Sequence, residues 1–558
     1  MYKFLFLIIF IILHQDIAEA KKIDLNNFNQ KYLSNYFSAI ISVKNQNNLK
    51  AISYFNNSKN LIRFHENFLE NYVFSLVSSG KIKRSVVELK KFNDENLDVF
   101  FEGHLILFID SINNKNFVKA NSYLRELSKF QNNDTFQIII TETLRSYLNL
   151  FTNKKIIRTN KDFGKLSLIT NAFQLCYLNS KNTNNSFLNL INSDDGDYSR
   201  YLFFYLQNII KNKEYSNAKN ISSTINLINS NLLVSQSKIW IENEQFDRFN
   251  NLFNCKSETH LISEFLYLIA NLLSSQEEFE QSNFYLNLSS FLNPEFYLNN
   301  SLIAENYFLS ENFTKSENIL NKFKGKDIIY DWFRIKKTTQ IISLKEDKEK
   351  SLKFMSKNLK TITDPNYKIL YDVANIYKNF EKYSISISYY NKVLSKLDKN
   401  SETYADTLYR RGSSFERLKD YSKSDKDLLE SLSIIENDPY VLNYLAYSWL
   451  ERNYNLELSI DMLIKAYNQK SDNPYITDSL GWAYYLIGEF DTAEKYMVNA
   501  LQLKPNDPVI MDHYGDILWK LKRKLEARYL WSNAINSEES HDLNKKYVKQ
   551  KILLGLKQ

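Results

Sequence analysis

Three places in the chain hold residue types whose spacing could support chemistry. His65-Glu66 opens the His-Glu-x-x-His pattern of zinc peptidases, in which two histidines four apart hold the metal and the glutamate activates water. Leu69 stands where the second histidine must be, so the metal cannot be held that way. Asp512, His513 and Asp516 lie close together. Asp512 and Asp516, four apart, share one face of a helix, and His513 points elsewhere. That arrangement reads as a solvated or partner-facing surface, not as an acid–base pair or a metal site. Cys176 and Cys255 are the only cysteines, too few for a structural zinc site of four ligands.

Nothing else in the chain supplies a reactive constellation. The ten glycines are scattered, Gly481 and Gly488 being the closest pair. That spacing excludes a dinucleotide fingerprint or a phosphate-binding loop, both of which need glycines within a few residues. The remaining histidines after the N-terminal segment, His104, His260 and His541, sit on separate segments. We therefore expect no catalytic residue, no cofactor and no metal, and a chain that is not an enzyme.

The elements that carry these residues are helices. Only 10 glycines and 6 prolines occur in 558 residues. A sheet-rich protein of this size needs many more turn residues. The scarcity of both breakers predicts helix joined to helix by short loops.

A period of 34 residues organises the helices. Counting Pro474 as position 1 puts Leu480 at 7, Gly481 at 8, Tyr484 at 11, Gly488 at 15, Phe490 at 17, Ala493 at 20, Met497 at 24, Ala500 at 27 and Pro505 at 32. Positions 7, 8 and 11 share a stripe on a first helix, and 20, 24 and 27 share one on a second. Small residues at 8, 20 and 27 let the two backbones approach, and the larger ones fill the remaining space. The register runs forward to Gly515, Ala527 and Ala534, and back through Ala466, Ala446, Gly412 and Ala374, with one residue inserted near Asn453 and four near Asp398. An earlier pair is again in phase, Ala270 with Ser282 and Ala304 with Ser316.

This pattern resembles the tetratricopeptide repeat at nearly every signature position. The resemblance implies an all-α fold, an α-solenoid in which helix-turn-helix hairpins stack into a right-handed superhelix. The segmentation that follows is residues 21–260 as degenerate repeats, 261–536 as a well-formed array, and 537–558 as a C-terminal capping helix with lysines on its outside. Thirteen to fifteen hairpins fit the length.

In the family it resembles, positions 2, 5, 9 and 12 of the first helices line a concave surface that binds a protein or peptide. The last well-formed units place Tyr440 and Tyr475 at position 2, Asn443, Asp478 and Asp512 at 5, Tyr447, Trp482 and Asp516 at 9, and Tyr485 and Trp519 at 12. These are the candidate partner-binding residues. They describe an aromatic, somewhat acidic groove, since aromatic side chains bury large area at low entropic cost. Aspartates at position 5 disfavour an acidic tail as ligand and suit a basic or neutral, partly apolar segment. Packing between repeats is the competing role for Trp482 and Trp519.

The start of the chain has another character. Lys3, the apolar run Phe4 to Leu13 and Ala18-Glu19-Ala20 match a secretory signal peptide cleaved after residue 20. The run is too short to span a bilayer, which takes about 20 residues, and no later segment is apolar enough to do so. A periplasmic location is expected, with a peripheral association to an envelope complex such as an export or surface-polymer machine. A subunit accompanying a peptidase or glycosyltransferase, or a eukaryotic secretory-pathway adaptor, are the other readings. The net charge of +7 is thinly spread among acidic residues, so nucleic acid is not an expected partner. Cys176 and Cys255 lie 79 residues apart, more than two repeats. An oxidising compartment permits a disulfide, but stacked repeats touch mainly their neighbours, so two separate buried thiols are the favoured expectation.

Overall fold

The computed structural model describes residues 30–556, except 66, 95–98, 131–133, 158–160, 194–196 and 538–542. The expected signal peptide, Glu66, His541 and most of the loop expected at Asp194 to Asp197 lie outside the described residues. Among the described residues the chain is helical, in 30 α-helices packed in consecutive pairs, and no strand occurs. The all-α solenoid is therefore the architecture.

Local sequence explains the pairing. The helices Pro439–Glu451, Pro474–Leu486 and Pro508–Lys520 each begin with proline at the first helical position, capped by the side chains of Asp438, Asn473 and Asp507. Proline's fixed φ suits that position, and its missing N–H is not needed there. Small residues face the partner helix as the spacing requires. A Cβ on Gly481 would lie 3.1 Å from the Met497 side chain and 3.3 Å from the Ala493 carbonyl. Where position 20 is serine, its hydroxyl donates to the carbonyl of position 8, Ser282 to Ala270 at 2.7 Å and Ser316 to Ala304 at 2.8 Å.

Seven of the hairpins after residue 257 turn through a residue with left-handed backbone. These residues are Glu277, Glu311, Glu381, Lys419, Asn453, Gly488 and Lys522. Their intervals from Glu381 onward reproduce the 34-residue period with its insertions of four and one, and Glu277 and Glu311 lie 34 apart. Gln46, Gly80 and Lys115 extend the same cadence into the region where side-chain signatures fade.

The chain forms two compact units. One comprises residues 1–225 and 230–346, the other 347–558 with 226–229. The change in signature strength at 260–261 is thus not where the compact units divide.

In the first unit the solenoid folds back on itself. The hairpin Glu258–Ser275 and Phe279–Leu292 packs against Phe68–Ser78, Phe101–Asn113 and Thr135–Asn153. Phe284 stacks on Phe74 at 5.6 Å, and Tyr285 meets Phe136 edge-on at 6.0 Å. Gln46 accepts from Asn312 at 3.2 Å, and its carbonyl accepts from Lys315. One hydrophobic core extends from Leu69 to Ile303.

This closure overturns the expectation for the cysteines. Cys176 and Cys255 are both buried, and they form a disulfide, with Cα atoms 5.7 Å apart. The rule that repeats touch only neighbours fails where a superhelix curls far enough to meet itself. Nearby, Arg200 and the buried Glu264 form a two-pronged ion pair with the Arg200 guanidinium 4.4 Å from the Tyr267 ring centroid.

The second unit stacks its hairpins in sequence. The tetrapeptide 226–229 lies against it: Leu227 donates its N–H to the Tyr367 hydroxyl at 3.0 Å, and Lys368 donates to the Leu227 carbonyl at 2.7 Å. The last described helix is Lys545–Leu554.

Candidate functional site

The first helices Pro439–Glu451, Pro474–Leu486 and Pro508–Lys520 follow one another in the second unit, and their residues at positions 5, 9 and 12 form one connected surface. Trp482 is its middle. The indole stacks on His513 with centroids 4.2 Å apart and on Tyr485 at 4.6 Å, and its N–H donates to Glu451 at 3.1 Å. His513 reaches back one repeat to Asp478, Nδ1 lying 2.9 Å from Oδ1. Burial alone would push the His513 pKa down, but Asp478, with Asp512 and Asp516 beyond it, raises it. Tyr447 adjoins the same carboxylates; burial foremost, then Glu451, Asp478 and Asp512, hold its hydroxyl well above the ordinary phenol value.

At the C-terminal end the surface is already occupied. The side chain of Lys551, only 3% exposed, lies between Asp512 and Asp516 with Nζ···O distances of 2.7 to 2.9 Å. Asp516 also accepts from the Trp531 indole at 2.9 Å. Burial pushes its pKa up to about 6, against the opposing pull of Lys551. Gly555 presses on Trp519 so closely that a Cβ there would enter the indole ring. The terminal helix therefore does not turn all its lysines outward: Lys545, Lys546 and Lys549 are exposed, and Lys551 is the buried anchor.

The candidate residues thus separate into groups. Asp512, Asp516 and Trp519 hold the terminal helix. Asp478, Trp482, Tyr485 and Tyr447 form the connected aromatic and acidic surface. Tyr440 and Tyr475 stand at the N-terminal ends of their helices, 48% and 50% exposed. Asn443 is half-buried, and its Oδ1 has no hydrogen-bond partner among the described residues.

A family model for the tetratricopeptide repeat matches residues 479–507, across the hairpin that carries Trp482 and Tyr485. That hairpin is a tetratricopeptide repeat. A TPR repeat-containing protein of Pseudomonas aeruginosa is 31% identical over 109 residues, 20% of this chain. The chain spans only 18% of that relative's length. Among solved structures, a tetratricopeptide repeat protein from Parabacteroides merdae overlays with a TM-score of 0.39 at 16% identity, covering 47% of this chain and 99% of its own. YrrB, described as a TPR protein with an unusual peptide-binding site, overlays with a TM-score of 0.26 at 14% identity, covering 35% and 97%.

Two groups on the repeat surface escaped sequence reasoning. The bond of His513 to Asp478 depends on the rotation between repeats. Lys551 lies outside the repeat register, and nothing local distinguishes it from its exposed neighbours. Its spacing of three from buried Val548 was the available signal, since such residues share a helical face. No group of three or more His, Cys, Asp or Glu residues among those described is placed to hold a metal ion.

Proposed function

We propose that this protein is a non-enzymatic scaffold of a bacterial cell envelope, which holds a basic or neutral, partly apolar segment of a partner protein on the first-helix face of its C-terminal repeats. One observation carries the reading. The acidic end of that face already accepts a primary ammonium, Lys551, beside the indoles of Trp519 and Trp531. The same chemistry continues N-terminally through Asp478, Trp482, Tyr485 and Tyr447, and Asn443 offers an unused acceptor there.

Export is supported by two observations. The N-terminal segment reads as a cleavable signal, and the Cys176–Cys255 disulfide suits an oxidising compartment. The matching segment in a Pseudomonas aeruginosa protein favours a bacterial source. No helix among the described residues is long and apolar enough to cross a membrane, which fits a peripheral association with an envelope complex.

Asp478 and Asp512 are held by His513 and Lys551, so the test uses side chains whose loss leaves the packing intact. Fluorescence anisotropy should show the full chain binding a labelled amphipathic peptide bearing lysines, and rejecting its glutamate-substituted counterpart. Tyr440→Ala and Tyr475→Ala together with Asn443→Ala should weaken binding about tenfold, as expected for central interface contacts. Equal binding of both peptides, or no change in the variants, would refute the assignment. Mass spectrometry of protein recovered from the cell envelope should find a chain beginning at Lys21; an intact N-terminus would count against export by cleavage.

A further inference from the structure

The first unit contains a second, separate site. Where the hairpin turn at 276–281 meets three first helices, a cavity of about 710 Å³ opens, within the range of small-molecule sites. Phe74, Phe100, Phe136, Phe279, Phe284 and Tyr285 line it. Six carboxylates line it: Glu70, Glu102, Asp134, Glu277, Glu278 and Glu280. No lysine, arginine or histidine among the described residues does so, and none of the six forms an ion pair with a described residue. The nearby cation Lys315 is engaged elsewhere, donating to the Gln46 carbonyl with its ammonium 5.1 Å from the Tyr307 centroid.

Four of the six acids have a local reason to be there. Glu70, Glu102 and Glu280 sit in first turns of helices, and Asp134 caps one, where negative charge offsets the helix dipole. That reason explains each singly and leaves one observation over. Tyr285 is 3% exposed, lines the cavity, and its hydroxyl has no hydrogen-bond partner. An unsatisfied buried polar group is costly, so a hydroxyl left this way on a side chain that lines a cavity calls for a partner.

We propose that this cavity binds an organic cation, an alkylammonium or guanidinium group on an apolar body, with Tyr285 Oη and half-buried Glu102 as its inner polar contacts. The five exposed carboxylates form a rim that attracts positive charge. The aromatic walls suit the chain of such a ligand, and their faces attract its charged head. A bare metal ion fits poorly: no three carboxylates among the described residues converge closely enough to ligate one. Burial, helped by Glu70 and Asp134, raises the Glu102 pKa, and an entering cation would reverse that rise.

Isothermal titration of the full chain at low ionic strength, with spermidine, a blocked dilysine peptide and calcium chloride as separate probes, tests this. One saturable site for spermidine or the peptide is expected. Tyr285→Phe, which keeps the ring, and Glu102→Gln should each weaken it about tenfold, and Glu489→Gln in the other unit should leave it unchanged. Tighter spermidine binding marks a free small molecule as ligand, and tighter peptide binding marks a partner's side chain. No saturable binding by either organic probe, equal affinity in Tyr285→Phe, or binding of calcium alone would overturn the proposal. Should Glu102→Gln fail to fold, Tyr285→Phe decides by itself.

Discussion

Lys551 Nζ lies 2.7 Å from Asp516 Oδ1, joining residues 35 apart in the chain. Asp516 belongs to the last well-formed repeat, and Lys551 to the helix that closes the array. The lysine also spans to Asp512 at 2.9 Å, so a single cation answers two carboxylates. The array is thus closed by a specific charge contact as well as by apolar packing of Val548 and Gly555.

Replacing Lys551 with methionine keeps the length of the side chain and removes its charge. The buried carboxylate of Asp516 would then lack its counterion, a loss of about 3–5 kcal/mol for a buried pair broken on one side. Hydrogen exchange should show residues 545–554 losing protection, with the urea midpoint of the second unit falling. Unchanged protection would mean that packing alone holds the helix.

His513 makes the stability of the repeats depend on pH. Its folded pKa is raised by Asp478 against the effect of burial. A raised folded pKa means that the protonated form is favoured on folding, so the contribution is complete below the unfolded value of about 6.5 and is lost as pH rises through the folded value. The melting temperature of the second unit should therefore fall on going upward from pH 6. In His513→Gln that slope should become shallower, the remainder coming from Asp516, whose carboxyl is raised to about 6; an identical slope in the variant would place its origin elsewhere.

The disulfide should matter to the first unit alone. Opening a loop of 79 residues removes a constraint worth about 4 kcal/mol in the chain-entropy description. Cys176→Ser with Cys255→Ser, or reduction of the native chain, should lower the first unit's unfolding transition and leave the second's in place. A shift of both transitions together would contradict the independence assumed for them.

The left-handed turn residues offer a test of backbone strain. Lys522 holds φ of 66° and Gly488 φ of 88° at equivalent positions. A side chain in this region costs about 1–2 kcal/mol. Lys522→Gly should stabilise by roughly 1 kcal/mol, and Gly488→Ala should destabilise by about the same. No atom lies within 4 Å of a Cβ placed on Gly488, so steric crowding would not confuse the second measurement. Equal midpoints for both variants and the parent, in urea titrations, would speak against strain at this position.

Much of this protein is determined by the sequence itself. Small residues at Gly481, Ala493 and Ala500, with Leu480 and Met497 between them, specify two helices that must lie close together. Pro474 and Pro508 begin the next hairpins. Those signals are local, because each reports on residues within one hairpin, and the turn cadence carries the same architecture back to Gln46. Repeats before residue 260 are hard to read because their contacts use aromatics such as Phe173, Phe187 and Phe204 in place of small residues at fixed positions.

The tertiary structure alone decided what happens when hairpins accumulate. Each stacking step adds a small rotation, and the sum over many steps brings Cys176 to Cys255, Phe284 to Phe74, and four acidic helix starts around Tyr285. No window of sequence contains that sum. For the same reason Lys551 looks like its exposed neighbours in the sequence, and only the path of the last repeat shows that it lies between Asp512 and Asp516.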